Sequence, residues 1–365
     1  MRGSKRWSLG RSASLALLAA LLSIGCRPAV GGAGQGAGAG AAGASPASAA
    51  APSGTGQGEA LVPLLKARSA YTTISAAAAP WWMAVDGGYF REQGLEVDLF
   101  HVDAGASLLA AMNNGDVDVT FSGAPTLALG YLQGMETMII GSTSNTLDDI
   151  IFTRPEIDTI EKLRGKTIGV TKLKAVTDVA ARVGLRRVGL VPDVDVFTRG
   201  TGGLAESLAA LETGAVDGAS LSVPGVFEAR KRGFRELINV TGLGVSFMNS
   251  GVGATKRLLA ERPEIGEPYL RALAQATSRL KTDRDFAVEV MAKWTRMDDR
   301  DLLGATVDHY RKIWTVDPYP EPAALQAVLD VEEHPAAATT RPEQIIDARF
   351  AEALRQSHFL DQLPE

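Results

Sequence analysis

The chain has 365 residues, with 37 Lys and Arg against 42 Asp and Glu, a formal net charge of −5 and one cysteine. One cysteine excludes an intrachain disulfide, and the mildly acidic balance excludes a basic nucleic-acid footprint or a polybasic membrane patch. A single hydrophobic core stops growing near this length, so two lobes are expected.

Arg2, Lys5, Arg6 and Arg11 precede the apolar run "ASLALLAALLSIG", which ends at Cys26. The run is too short to span a bilayer as a mature helix and reads as a secretion signal over residues 1–25. "LLSIGC" resembles the lipobox of bacterial lipoproteins, with Ser23 where leucine is usual and Leu22 one place earlier; Cys26 would be the acylated residue. Removing the four basic residues takes the net charge from −5 to −9. Residues 26–60 are almost wholly Gly, Ala, Ser, Pro and Gln. Such a composition buries too little apolar surface to offset its ordering entropy, so it is expected to be a flexible linker. Together these features would place the protein in the periplasm or on the outer face of a bacterial membrane, lipid-anchored through Cys26; the alternative reading of the same run is an ordinary signal peptide cut nearby.

From Leu61 onward, strands and helices alternate. "KARSAYTTI" is a strand; "PWWMAVDGGYF" starts a helix at Pro80 and meets Gly87 and Gly88 at its end. "LEVDLFHV" alternates as a strand, "SLLAAMNNG" is a helix stopped by Gly115, "VDVTFSG" a buried strand, "PTLALGYLQG" a helix and "ETMIIGST" a strand. The pattern restarts with "KTIGVTK", a helix from Val176 to Leu190, "DVDVFTRG", "LAESLAALETG", "VDGASLSVP" and "FRELINV". Alternation of this kind predicts right-handed crossovers and a mostly parallel sheet with helices on both faces. Beyond Lys256 the segments are helical.

One internal repeat stands out. "LAAMNNGDVDVTFSGAP" at Leu109 to Pro125 returns as "LAALETGAVDGASLSVP" at Leu208 to Pro224, at a constant offset of 99. Each copy runs from a helix through Gly-x-Val-Asp into a strand that ends in a small polar loop and a proline. The Gly-x-Val-Asp element reads as a packing device, and the loops at Ser122 and Ser222 as ligand-facing, because open parallel sheets bind solutes at the carboxyl ends of their strands. Helix N-termini at such edges add unpaired N–H groups and partial positive charge.

"YTTISAAAAPWWMAVDGGYFREQGLEVDLF", "PEIDTIEKLRGKTIGV", "SLAALETGAVDGASLS" and "IIDARFAEALRQSHFLDQL" together resemble the substrate-binding proteins of ABC importers of the nitrate, sulfonate and taurine type. That group includes pyrimidine-precursor binders and shares its fold with the thiamine-pyrimidine synthases. The resemblance implies an α/β fold of the periplasmic-binding-protein type II: two α/β lobes joined by two crossover strands, with a hinge and an inter-lobe cleft. Lobe 1 would take residues 61–145 and 249–365, and lobe 2 residues 146–248. A monomer would close on a small organic anion or heterocycle, without cofactor or metal, and hand it to an ABC permease.

The same resemblance implies pocket residues: Thr72, Thr73 and Ser75 after the first strand; Gly105, Ala106 and Ser107; and Ser122 with Gly123. In the second lobe it implies Thr171, Lys174, Thr177, Thr201, Gly202 and Ser222. Short hydroxyls and glycines let backbone N–H groups approach a ligand. Relatives read Gly-Ser where this chain has Lys174 and Ala175, so a glycine and a hydroxyl are lost and an ammonium gained. Lys172, Lys174 and Arg199 could pair with a carboxylate or sulfonate, and Trp81 could stack on a heterocycle.

Enzymatic alternatives find little in the sequence. The synthase relatives use a histidine and a cysteine-rich motif, absent beyond Cys26. His101, His309, His334 and His358 have no metal-ligand spacing. "GKT" at Gly165 lacks the preceding glycine of a phosphate loop, and no Gly-x-Ser-x-Gly turn is present. A membrane-tethered solute sensor is the other reading of the same features.

Overall fold

The computed structural model describes residues 63–364; the expected signal segment, Cys26 and the linker lie outside the described residues. Ten strands form two five-stranded sheets among them. They are β1 Leu65–Tyr71, β2 Leu95–His101, β3 Val119–Gly123, β4 Thr137–Thr146, β5 Ile150–Thr153, β6 Lys166–Val170, β7 Val196–Gly200, β8 Gly218–Leu221, β9 Arg235–Asn239 and β10 Ser246–Thr255. The first sheet is ordered β2-β1-β3-β10-β4 and the second β7-β6-β8-β5-β9.

The two orders are the same pattern written twice. In each sheet three successive strands pair in parallel. One strand in each runs against its neighbours: β10 between β3 and β4, and β5 between β8 and β9. These reversed strands are the ones by which the chain arrives from the other sheet. The mostly parallel expectation therefore becomes two mixed sheets, each with one reversed strand where the chain enters it. This is the α/β, two-lobed arrangement expected from the resemblance.

Helices cover both faces of each sheet, as parallel strands require. The first sheet packs the helices Ala79–Asp86 and Gly266–Thr282 on one face, through Trp81, Met83, Tyr269 and Leu273. Its other face holds Gly105–Asn114, Ala124–Leu132 and Pro322–Leu329, through Leu108, Leu127 and Leu325. The second sheet lies between Val176–Arg187, which buries Val179 and Leu185, and the pair Leu204–Thr213 and Gly225–Lys231, which bury Leu208, Leu211 and Val226. Strands β3 and β8 are buried on both sides, so they read as apolar runs instead of alternating.

The repeated segment occupies equivalent positions. Gly115 and Gly214 end their helices in the left-handed region, with φ of 80° and 74°, where a side chain is strained. Val117 and Val216 are buried. The Asp118 carboxylate accepts from the Arg68 N–H at 2.7 Å while the Asp118 N–H donates to the Arg68 carbonyl at 2.9 Å. Asp217 makes the same exchange with Thr167, at 3.0 and 2.9 Å. Each aspartate thus fixes the start of one strand against its neighbour, at the end of the sheet away from the polar loops.

Candidate functional site

At the carboxyl ends of the parallel strands the two lobes enclose a cavity of about 510 Å³. The first lobe supplies the turn after β1, with Thr72, Thr73 and Ser75, and the end of β3, with Phe121 and Gly123. The second supplies Val176 and Thr177, Leu204, and Ser222 to Pro224 after β8. Both connections between the sheets contribute: Asp148 and Asp149 lie between β4 and β5, and Asn249 and Ser250 lie on β10. Two C-terminal helices of the first lobe close one side with Met291 and Thr295, and with Leu303, Thr306 and Tyr310.

The lining combines apolar walls with two kinds of polar feature. Three helices begin at it, Ala124–Leu132 after Gly123, Val176–Arg187 and Leu204–Thr213, and none has a side-chain cap, although the Asp178 N–H donates to the Ala175 carbonyl at 2.9 Å. The second feature is the acidic pair. Asp148 is met by neutral donors on both oxygens: Asn249 Nδ2 reaches Oδ1 at 3.2 Å, and the Tyr310 hydroxyl donates to Oδ2. Asp149 accepts from Ser220 Oγ at 3.2 Å on Oδ1, while its Oδ2 has no partner although the residue is 0% exposed. Burial, with the Asp148 charge adding to it, raises the Asp149 carboxyl well above the ordinary carboxylate range against the lowering effect of Ser220. Burial likewise raises the Tyr310 phenol, with the neighbouring aspartates contributing. Among the described residues that line the cavity, none is Lys, Arg or His.

Of the residues implied by the resemblance, Thr72, Thr73, Ser75, Gly123, Thr177 and Ser222 come together on this cavity, drawn from both lobes. Ser122 sits just beneath it, buried, with its Oγ 3.2 Å from Thr72 Oγ. The others are placed elsewhere, each for a visible reason. Thr171 is spent on its own turn, with Oγ 2.8 Å from Thr177 Oγ, and Thr201 matches it, 2.6 Å from Ser207 Oγ. Gly202 follows Thr201 on an exposed turn. Gly105, Ala106 and Ser107 form the first turn of a helix whose start faces Thr126 and solvent. Trp81 is wholly buried behind the cavity wall: its N–H donates to the Tyr269 hydroxyl at 3.0 Å and its ring lies 4.3 Å from that of Phe121. The candidate cations are absent from the lining. Lys174 pairs with Glu333, Arg199 donates to the Ala215 carbonyl at 2.9 Å, and Lys172 is exposed.

Sequence reasoning missed the acidic pair, the β10 residues and the helical side. The acidic pair had a signal: "DDIIF" sets two carboxylates directly before a buried strand, where charges are costly unless used. Met291, Thr306 and Tyr310 had none, because only the return of the C-terminal helices to the first lobe brings them to the cavity.

A family model described as "NMT1/THI5 like" matches residues 75–285. No curated protein matches the chain. Solved structures similar in fold include the periplasmic aliphatic sulphonate binding protein SsuA from Escherichia coli, at 18% identity over 82% of this chain and 95% of that one, with a TM-score of 0.62. The periplasmic nitrate-binding protein NrtA from Synechocystis PCC 6803 matches at 14% identity over 83% and 91%, with a TM-score of 0.64. A putative periplasmic sulfonate-binding protein SsuA from Methylobacillus flagellatus KT matches at 19% identity over 82% and 96%, with a TM-score of 0.66.

Proposed function

The chain belongs to the NMT1/THI5-like family, and on that footing we propose that it is the extracytoplasmic solute-binding component of an ABC import system. The observation that carries this reading is the composition of the cavity wall: both sheets, both connections and the C-terminal helices meet there. A solute held between the lobes touches both at once, so it stabilises the closed form by contacts the open form cannot make. The sulphonate-binding and nitrate-binding proteins among the structural neighbours support the solute-binding class. Acylation at Cys26 and the Gly/Ala/Ser linker would tether the monomer within reach of its permease.

The reading is tested by thermal denaturation of the full chain against a broad panel of small solutes. A ligand at about 100 times Kd is expected to add roughly 2.7 kcal/mol of stability and raise Tm; no shift with any solute counts against solute capture. Cys26→Ala is expected to release the protein from membranes, read by fractionation; an already soluble wild type overturns the anchor.

A further inference from the structure

The cavity holds two carboxylates and no basic side chain, and one carboxylate oxygen, Asp149 Oδ2, is buried without a donor. The other three oxygens of the pair are met by neutral groups, Ser220, Asn249 and Tyr310, which satisfy hydrogen bonds but supply no countercharge, so the ligand-free protein keeps on Asp149 a proton that a bound cation would release. A purely anionic solute would bring a further negative charge beside Asp148 and find no basic side chain in the lining. The three helix starts offer N–H donors to an acceptor elsewhere on the solute, but each carries only a partial charge confined to its first turn. The lining also includes the apolar side chains Phe121, Leu204, Met291 and Leu303.

Resting on the solute-binding reading, we infer that the solute is a small organic ammonium with an apolar body, its N–H donating to the free oxygen of Asp149. The paired charge-assisted bond fixes one end of the solute at the connection between the lobes, and the apolar walls cover the remainder.

The test is a matched set of ammonium, alcohol and sulfonate solutes on the same skeletons, from ethyl to benzyl, titrated by thermal shift and calorimetry into the full chain. Ammonium members are expected to bind at least tenfold more tightly than their alcohol and sulfonate counterparts. Asp149→Asn, which removes the carboxyl but keeps its shape, is expected to erase that preference. Asp148→Asn, whose oxygens are already met, is expected to weaken the ammonium less. A sulfonate that binds as tightly as its ammonium counterpart, or an ammonium preference that survives Asp149→Asn, overturns the inference and leaves solute capture standing. Silence across all three classes argues against solute capture itself, and the ammonium assignment falls with it.

Discussion

Asp149 is the residue whose environment is hardest to account for by packing alone. Desolvation and the Asp148 charge hold its folded-state pKa above the unfolded value, so the folded chain keeps a proton that the unfolded chain has released. That contribution to stability is complete below the unfolded pKa and is lost as pH rises through the folded one. The titratable groups around it are Asp148 on the same connection and Tyr310 and His309 on the helix Arg300–Tyr310; burial lowers the His309 pKa. Asp149→Asn is therefore expected to make the ligand-free protein more stable at about pH 8 than the wild type, with the gain shrinking toward about pH 4. Urea denaturation across that range measures it, and a gain that is constant with pH would contradict the assignment. The neighbouring hydroxyls were easier to foresee, because small polar residues at strand ends face the sheet edge whatever the ligand. Which of them reach the cavity depends on turns such as Thr171 to Thr177, where the hydroxyls bond each other, and spacing alone does not reveal that.

Among the elements, the regular helices and the parallel strands were legible because each carries its own period and its own stop, as "SLLAAMNNG" does with Gly115. The helix expected to reach Leu190 ends at Arg187, where the chain turns toward Gly189 in the left-handed region. Strands β5 and β10 were not read as strands at all. β5 has only four residues, and β10, "SFMNSGVGAT", shows no alternation because it is enclosed on both faces. Its glycines are spacing elements: a Cβ on Gly253 would lie 2.7 Å from Leu127 and 2.8 Å from Thr120. Gly253→Ala is expected to cost about 1–3 kcal/mol by overpacking, seen as a lower urea midpoint with unchanged slope. The repeated aspartates give a paired check. Asp217→Ala leaves the Thr167 N–H without its acceptor and removes one of the two carboxylate partners of Arg154. A loss of about 1–3 kcal/mol is expected, whereas a neutral substitution would show that the repeat has no structural role.

For the molecule as a whole, the question is what holds the lobes in the arrangement seen. Lys174 of the second lobe reaches Glu333, which follows a helix packed on the first, and Phe227 meets the His309 ring edge-on at 6.3 Å. The ion pair is exposed, with side chains 69% and 66% accessible, so it contributes about 0–1 kcal/mol and is screened by salt. It biases closure but cannot enforce it. Glu333→Gln is accordingly expected to lower solute affinity by no more than about fivefold, with a slight increase in the radius of gyration of the free protein by small-angle scattering. A loss of a hundredfold would mean that the pair is a true latch.

The late return of β10 to the first sheet also dictates an order of assembly. A chain delivered amino end first can finish its second sheet as soon as Asn239 has emerged, since all five members lie between Ile150 and that residue. The first sheet, begun earlier, stays split between β3 and β4 until β10 arrives to fill the gap. The half that starts first is therefore completed last, and a chain cut short after Asn239 would keep one finished sheet and one with its middle missing.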